Sequence, residues 1–344
     1  MASSVRLTEY TGQGGCSAKI AQADLAEVLR GLGSAAGGDL LVSSGTMDDA
    51  AVYRLNDELA LVVTTDFFPP PLDDPRDFGA IATSNALSDI YAMGATPLLL
   101  LNLVGFDLAA LGGEILRQIL EGGAEIAREA GCAVAGGHSI RSSEPIFGCA
   151  VVGRVDPRRM VTNAGAQIGD LVFLTKPLGT GTILNAHKLG AVAPDVLATA
   201  VASMRQLNRR AAEAMAESGA TAATDITGFG LLGHAHNLAA ASHVRLRLRA
   251  GELPVLPGAA ELIRSGNVPG GTRRNLELAR LSATIALELP SELVTLACDA
   301  QTSGGLLLTI PADRATALRS GLPQARLIGE VLAETRGRTP IELI

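Results

Sequence analysis

The sequence predicts a two-domain α/β protein. Strand-like apolar runs ending in Asp, Gly or Pro alternate with helix-like segments, and 344 residues exceed what one ordinary core encloses. A polar, turn-rich stretch at 157–167 separates two such cycles, so domains are expected over residues 1–156 and 168–344.

The first domain opens with a glycine-rich, mobile segment at 11–19, TGQGGCSAK, ahead of a helix-like segment at 23–32. Cys16 and Lys19 are three residues apart there, and a nearby cation favours a thiolate. An incidental cysteine on a loose terminus is the competing reading. The run 46–66 reads as a hairpin turning at Asn56-Asp57. Asp48 and Asp49 open its first strand, where neighbours point to opposite faces.

The chain is organised around 64–94, TTDFFPPPLDDPRDFGAIATSNALSDIYAMG. Asp66 ends an apolar strand-like run stopped by Pro69, Pro70 and Pro71. Asp89 lies on a helix-like segment at 77–93, one turn after Asn85 and on its face, opposite Leu87 and Ile90. A single aspartate more often caps a turn or sits in water. This helix, however, is rich in small residues (Ala80, Ala82, Ser84, Ala86, Ser88) and poor in Lys and Arg, as if packed on both sides. A carboxylate on such a helix needs a partner or a metal. A strand at 98–104, a helix at 112–130 and a strand at 132–135 follow, leading into a turn, Gly136-Gly137-His138-Ser139, that offers backbone N–H groups to an anion. His138 is placed there to touch a ligand. A strand at 148–155 closes the half.

The second cycle runs through a strand at 171–175, a long helix at 198–218 carrying Arg205, Arg209 and Arg210, and the segment AATDITGFGLLG at 222–233. Asp225 there precedes a match to the dinucleotide pattern (Gly228, Gly230, Gly233), with Glu252 beyond the next strand. The residues before those glycines are Thr, Ala and Asp rather than Val and Ile, which weakens that match. His234 and His236 face apart on a helix and read as structural or surface residues. Arg245, Arg247 and Arg249 alternate with Val244, Leu246 and Leu248, a strand with one wet face. VPGGTRRN at 268–275 and CDAQTSGGLLLTI at 298–310 complete the glycine-rich set, the latter an Asp, a turn and a buried strand.

Totals narrow the function. The longest apolar stretch, 98–104, is interrupted by Asn102, so no membrane span is expected. The N-terminus lacks a leader pattern, and four cysteines without CxxC spacing fit a reducing compartment, hence the cytoplasm; zinc is not suggested. A net charge of −7 argues against nucleic acid unless basic residues concentrate in one patch. The 39 glycines cluster beside polar residues, as backbone approaches to a ligand do. Neither a P-loop nor the protein-kinase motif set is present. Aspartates 49, 66, 89 and 225 suit hard cations such as Mg²⁺, which take carboxylates and phosphate oxygens together.

Ten runs in order, GGCSAK, TMDDAAVY, TTDFF, SNALSDIYAMG, AGGHSI, EPIFG, LTKPLGTG, TDITGFGLLGH, VPGGTRRN and CDAQTSGGLLL, resemble the selenophosphate synthetase (selenide, water dikinase) family over nearly the whole chain. That family lies in the aminoimidazole ribonucleotide synthetase-like superfamily. The resemblance implies an α/β (α+β) homodimer whose N-terminal sheets pair into a shared barrel, converting ATP, selenide and water to selenophosphate, AMP and phosphate. It places Cys16 and Lys19 on the catalytic pair, and Asp49, Asp89 and Asp225 on ligands for several Mg²⁺ ions per ATP. Nucleotide contacts would fall on Lys19, Thr46, Met47, Asp48, Asp66, Asp89, Gly137, His138 and Ser139. A monovalent cation and a selenium-delivering protein are further partners it admits, with no nucleic acid or membrane. Many members carry a second loop cysteine where this chain has Ala18, so a Cys–Cys relay within the loop is impossible here. Two other readings stand beside it: a nicotinamide-dependent oxidoreductase built on GFGLLG, and a non-catalytic nucleotide-binding relative.

Overall fold

The computed structural model describes residues 5–20, 24, 27–28, 37–43 and 47–344. Thr46 and most of the expected helix at 23–32 lie outside the described residues. The first half builds a six-stranded sheet from β1 (Leu40–Val42), β2 (Ala51–Asn56), β3 (Leu59–Phe68), β4 (Thr96–Gly105), β5 (Ala133–Ile140) and β6 (Ile146–Val155). Their order is β1-β2-β3-β6-β4-β5, antiparallel except for β4 and β5. The β2–β3 hairpin turns at Asp57-Glu58, one residue later than expected, because the Asn56 side chain stays with the strand and accepts the Glu58 N–H at 2.9 Å.

The central helix spans Pro75–Ala92. It starts earlier than the spacing suggested because Asp74 accepts the Asp77 N–H and Pro75 fits the first turn. Every residue from 78 to 92 is buried, packed between β3 and β6 on one side and the helix Gly113–Ala130 on the other. That is the two-sided packing its small residues implied. The opposite face of the sheet carries no helix among the described residues. Tyr53, Val63, Phe67 and Leu101 stand on it, 40% to 49% exposed.

The second half is a seven-stranded sheet of β7 (Leu171–Leu174), β8 (Ala222–Asp225), β9 (Val244–Leu248), β10 (Ala283–Ile285), β11 (Leu306–Ile310), β12 (Arg326–Ala333) and β13 (Ile341–Leu343). Its order is β10-β13-β9-β12-β7-β11-β8, and only the pairings of β13 with β9 and β10 are parallel. β11 is buried along its whole length, as its apolar run required.

Three expectations are corrected. The helix expected over 198–218 is two helices, Pro194–Arg205 and Arg209–Ser218. The break at Gln206 turns its carbonyl to Lys176 Nζ at 2.6 Å, and Asn208 Nδ2 donates to Ser88 Oγ and the Gly304 carbonyl. Arg245 does not face water: it is 8% exposed, and Arg245 and Arg247 both meet Glu342 of the adjoining β13. The basic stripe is thus largely neutralised. Finally, Gly136 to Ser139 make no turn but continue β5, where a register shift beside β4 absorbs the extra residue.

Candidate active site

The two halves meet over β3, β8 and the central helix, and there the chain gathers its buried carboxylates. Asp66 points inward from β3, and its Oδ2 accepts both Lys19 Nζ at 2.8 Å and Asn85 Nδ2 at 2.6 Å. One helical turn on, Asp89 Oδ2 accepts Thr64 Oγ1 at 2.6 Å. Asp49 Oδ1 accepts Thr224 Oγ1 at 2.9 Å, beside Asp225 at the end of β8. Asp48 turns away, accepting the Asn163 N–H at 2.6 Å, while the Met47 carbonyl accepts Asn163 Nδ2 at 2.8 Å.

Burial and mutual repulsion raise the carboxyls of Asp49, Asp89 and Asp225. Asp49 and Asp89 lie well above the usual carboxylate range, through desolvation and then the charge of Asp225, and Asp225 is raised to about 6 chiefly by desolvation. Oδ2 of Asp49 and Oδ2 of Asp225 are buried without a hydrogen-bond partner among the described residues. Two orphaned carboxylate oxygens with raised pKa are what a buried site looks like when a cation completes it. One ligand atom each from Asp49, Asp225 and His234 lies within 4.8 Å of the others. The donor set therefore fits a hard cation through its oxygens. His234 is poorly disposed to join through Nε2, which accepts the Thr227 N–H at 3.1 Å. Asp89 stands outside that group of three and is coupled to it through charge.

The glycine-rich segment is packed onto this cluster. Residues Gly15–Ala18 form a short 3₁₀ turn. The Gly15 N–H donates to the Pro69 carbonyl at 2.9 Å, the Cys16 N–H to Thr302 Oγ1 at 3.1 Å, and Cys16 Sγ to Asn85 Oδ1 at 3.4 Å. The glycines permit close approach: a Cβ on Gly15, which has φ +61°, would stand 2.4 Å from Thr302 Oγ1, and one on Gly14 2.2 Å from the Pro70 carbonyl. Lys188 Nζ ties down the carbonyls of Thr11 and Gly12 at 2.6 and 2.8 Å.

Burial pushes the Cys16 thiol up to about 12 despite the opposing charge of Lys19, so in this docked position sulfur is held as S–H. The thiolate expected from the spacing is outweighed by desolvation. For Lys19 burial opposes the charge, but Asp66 prevails and holds the ammonium well above its usual value. Lys19 retains 32% side-chain exposure and faces an open cleft of about 860 Å³, lined also by Asp66, Phe67, Glu144, Phe229 and Arg274.

Gly137, His138 and Ser139 are not part of this cluster. They sit on the exposed edge strand, in register with Asn102, Cys149 and Asp66 across three strand spacings, or roughly 14 Å. The dinucleotide reading also fails on geometry. β8 is flanked by an antiparallel neighbour, and the approach to Gly228 is filled by the carbonyl of Cys16.

Models for the N-terminal and C-terminal domains of AIR synthase related proteins match residues 47–155 and 167–341. Selenide, water dikinase of Porphyromonas gingivalis is 47% identical over 333 residues, covering 95% of each chain. That of Myxococcus xanthus is 47% identical over 338 residues, covering 96% of each. The chain belongs to the selenide, water dikinase family. Among solved structures, thiamine monophosphate kinase from Aquifex aeolicus overlays with a TM-score of 0.68 at 18% identity, covering 94% of this chain and 98% of that one. Hydrogenase maturation protein HypE in complex with ATP gives 0.60 at 20% identity, covering 98% and 94%. At such identities the likeness shows the fold alone.

Several residues of this selenide, water dikinase family member escaped the sequence reading. Thr302 receives the cysteine segment from the other half, Ser303 donates its N–H to Asn85 of the central helix, Arg274 reaches the cleft and donates to the Ser17 carbonyl at 3.3 Å, and Lys176 lies buried against the Gln206 and Ser303 carbonyls. Each lies in a quoted motif (CDAQTSGGLLL, VPGGTRRN, LTKPLGTG). Nothing local told which side chain of the motif points to the site.

Proposed function

We propose that this chain acts as a selenide, water dikinase, converting ATP, selenide and water to selenophosphate, AMP and phosphate in the cleft between its halves. One observation carries the reading beyond the family likeness: a cysteine and a lysine on one docked segment lie against buried Asp66, Asp89 and Asp225 and half-buried Asp49, brought from both halves. Phosphoryl transfer requires charge neutralisation and in-line placement more than covalent chemistry, which suits such a cluster.

In this reading Asp49, Asp225 and Asp89 hold Mg²⁺, which supplies charge neutralisation for the polyphosphate. Lys19 offers an ammonium to a transferring phosphoryl group, while Asp66 holds that ammonium in place and contacts nucleotide with Thr46, Met47 and Asp48. Cys16 offers a soft sulfur to selenium, and with Ala18 in the loop it does so alone. Docking of residues 11–19 excludes water from the reacting groups, and release of the segment admits substrate. We further propose a homodimer, supported by the uncovered apolar face of the six-stranded sheet. In it Gly137, His138 and Ser139 reach nucleotide from edge strand β5. A cytoplasmic location is supported by four unpaired cysteines, all buried; no helix among the described residues is long and apolar enough to cross a membrane.

The test is anaerobic turnover of Mg·ATP with and without selenide, followed by AMP release and phosphorus NMR. Selenide-dependent formation of AMP and selenophosphate is expected. ATP breakdown that stops at ADP, or that ignores selenide, would overturn the proposal.

A further inference from the structure

We infer that Asn85 is the positioning residue that fixes the Cys16 sulfur relative to the Lys19–Asp66 pair. Its amide is fully buried and is used from both ends. Nδ2 donates to Asp66 Oδ2, the same oxygen that takes Lys19, and Oδ1 accepts Cys16 Sγ at 3.4 Å and the Ser303 N–H at 2.8 Å. One side chain thus joins the central helix, β3, the N-terminal segment and the turn from the second half.

The cost accepted elsewhere argues that this joint is more than a satisfied core amide. Ser303 has φ +50°, a left-handed conformation that a non-glycine residue rarely adopts. It is held there by its N–H on Asn85, its Oγ on the Met204 carbonyl at 2.6 Å and its own carbonyl on Lys176 Nζ at 3.1 Å. A strained turn is therefore braced from three sides while its N–H meets the same oxygen that receives the thiol. Asn85 accepts the Cys16 sulfur, and Thr302, the residue before that strained serine, accepts the Cys16 N–H. Amide chemistry is needed because one group must donate to a carboxylate and accept from a thiol. Neither Asp, which lacks the donor, nor Ala does both.

The inference rests on the proposed function for the importance of Cys16, but its test does not need turnover. Intact protein is treated with iodoacetamide, and labelling of Cys16, Cys132, Cys149 and Cys298 is followed separately by peptide mass mapping. In Asn85→Ala, loss of the acceptor should speed labelling of Cys16 by about fivefold or more, the value of roughly one hydrogen bond in the opening equilibrium. The other three cysteines should label as in wild type. Asn85→Asp keeps an acceptor for the thiol and for Ser303, so Cys16 should stay protected, while two adjacent carboxyls must share a proton. In a competent enzyme both variants should lower kcat and leave KM for ATP within about threefold.

Equal acceleration of all four cysteines in Asn85→Ala would mean general loosening and would overturn the inference, as would unchanged labelling of Cys16. Exposure of Cys16 in Asn85→Asp to the extent seen in Asn85→Ala would show that the acceptor does not hold the thiol. Absence of selenide-dependent turnover in wild type would sink the proposed function and leave the labelling result standing.

Discussion

The carbonyl oxygen of Cys16 lies 2.7 Å from where a Cβ on Gly228 would stand. A glycine that resembles part of a dinucleotide fingerprint is thus a seat for the chain's own N-terminal segment. Gly228→Ala should therefore leave the second half folded and displace residues 11–19, because the atoms nearest the added methyl are the Cys16 carbonyl and Lys19 Cδ. Hydrogen exchange is expected to rise across residues 11–19 while turnover falls at least about tenfold, one docking contact being about 1.4 kcal/mol. Full activity in this variant would show that docking is dispensable.

The buried carboxylates make stability depend on pH and on metal. The folded pKa of Asp225, about 6, exceeds its unfolded value. The group therefore contributes fully only below the unfolded value, and that contribution is lost as pH rises through about 6. In metal-free buffer, Asp225→Asn should melt at a higher temperature than wild type at pH 7 and should vary less between pH 4 and pH 6. The effect is expected on the order of 2 kcal/mol or less. Adding Mg²⁺ should raise the melting temperature of wild type and leave that of the variant nearly unchanged. A variant stabilised by Mg²⁺ as strongly as wild type would remove Asp225 from the metal site.

How much of this was legible depended on whether the cause was local. The central helix could be read from its small residues, though not its Asp74-Pro75 start, and Asp66 and Asn85 from strand end and helical spacing. The break at Gln206 could not, because it serves a lysine 30 residues earlier. Nor could the burial of Arg245, which depends on Glu342 in a parallel strand almost 100 residues on. Glycines at 14, 15 and 228 looked like flexibility or phosphate seats, but their partners are the carbonyl of Pro70, the hydroxyl of Thr302 and the carbonyl of Cys16. A glycine pattern states that something comes close without saying what. Similarly, β5 runs on through Gly136 and Gly137 because β4 supplies pairing partners as far as Gly105.

The uncovered sheet face predicts assembly. Tyr53, Val63 and Leu101 occupy one side of the sheet with no helix over them among the described residues, an arrangement that favours burial against a second copy. Light scattering at micromolar concentration should give the mass of a dimer. Val63→Glu, which places a charge in the middle of that face, should shift the mass to a monomer with little change in secondary structure. A monomeric wild type would contradict the prediction.

Lys19 and Cys16 can be separated by what each leaves behind. Lys19→Ala removes the cation from Asp66 Oδ2, but Asn85 still donates to that oxygen, so the carboxylate keeps a partner and the fold should survive. What disappears is positive charge at the mouth of the cleft, where charge would develop during transfer. The rate should fall by about 10²-fold or more, with Mg·ATP affinity within a few-fold of wild type. Cys16→Ser is the complementary change. A hydroxyl can still donate to Asn85 Oδ1, so residues 11–19 should remain docked, as hydrogen exchange would report. The soft sulfur is gone, however, and selenophosphate should be absent from the phosphorus spectrum while Mg·ATP still binds. If Cys16→Ser kept selenide-dependent activity while remaining docked, the thiol would serve packing alone, and selenium handling would have to be assigned to another group in the cleft.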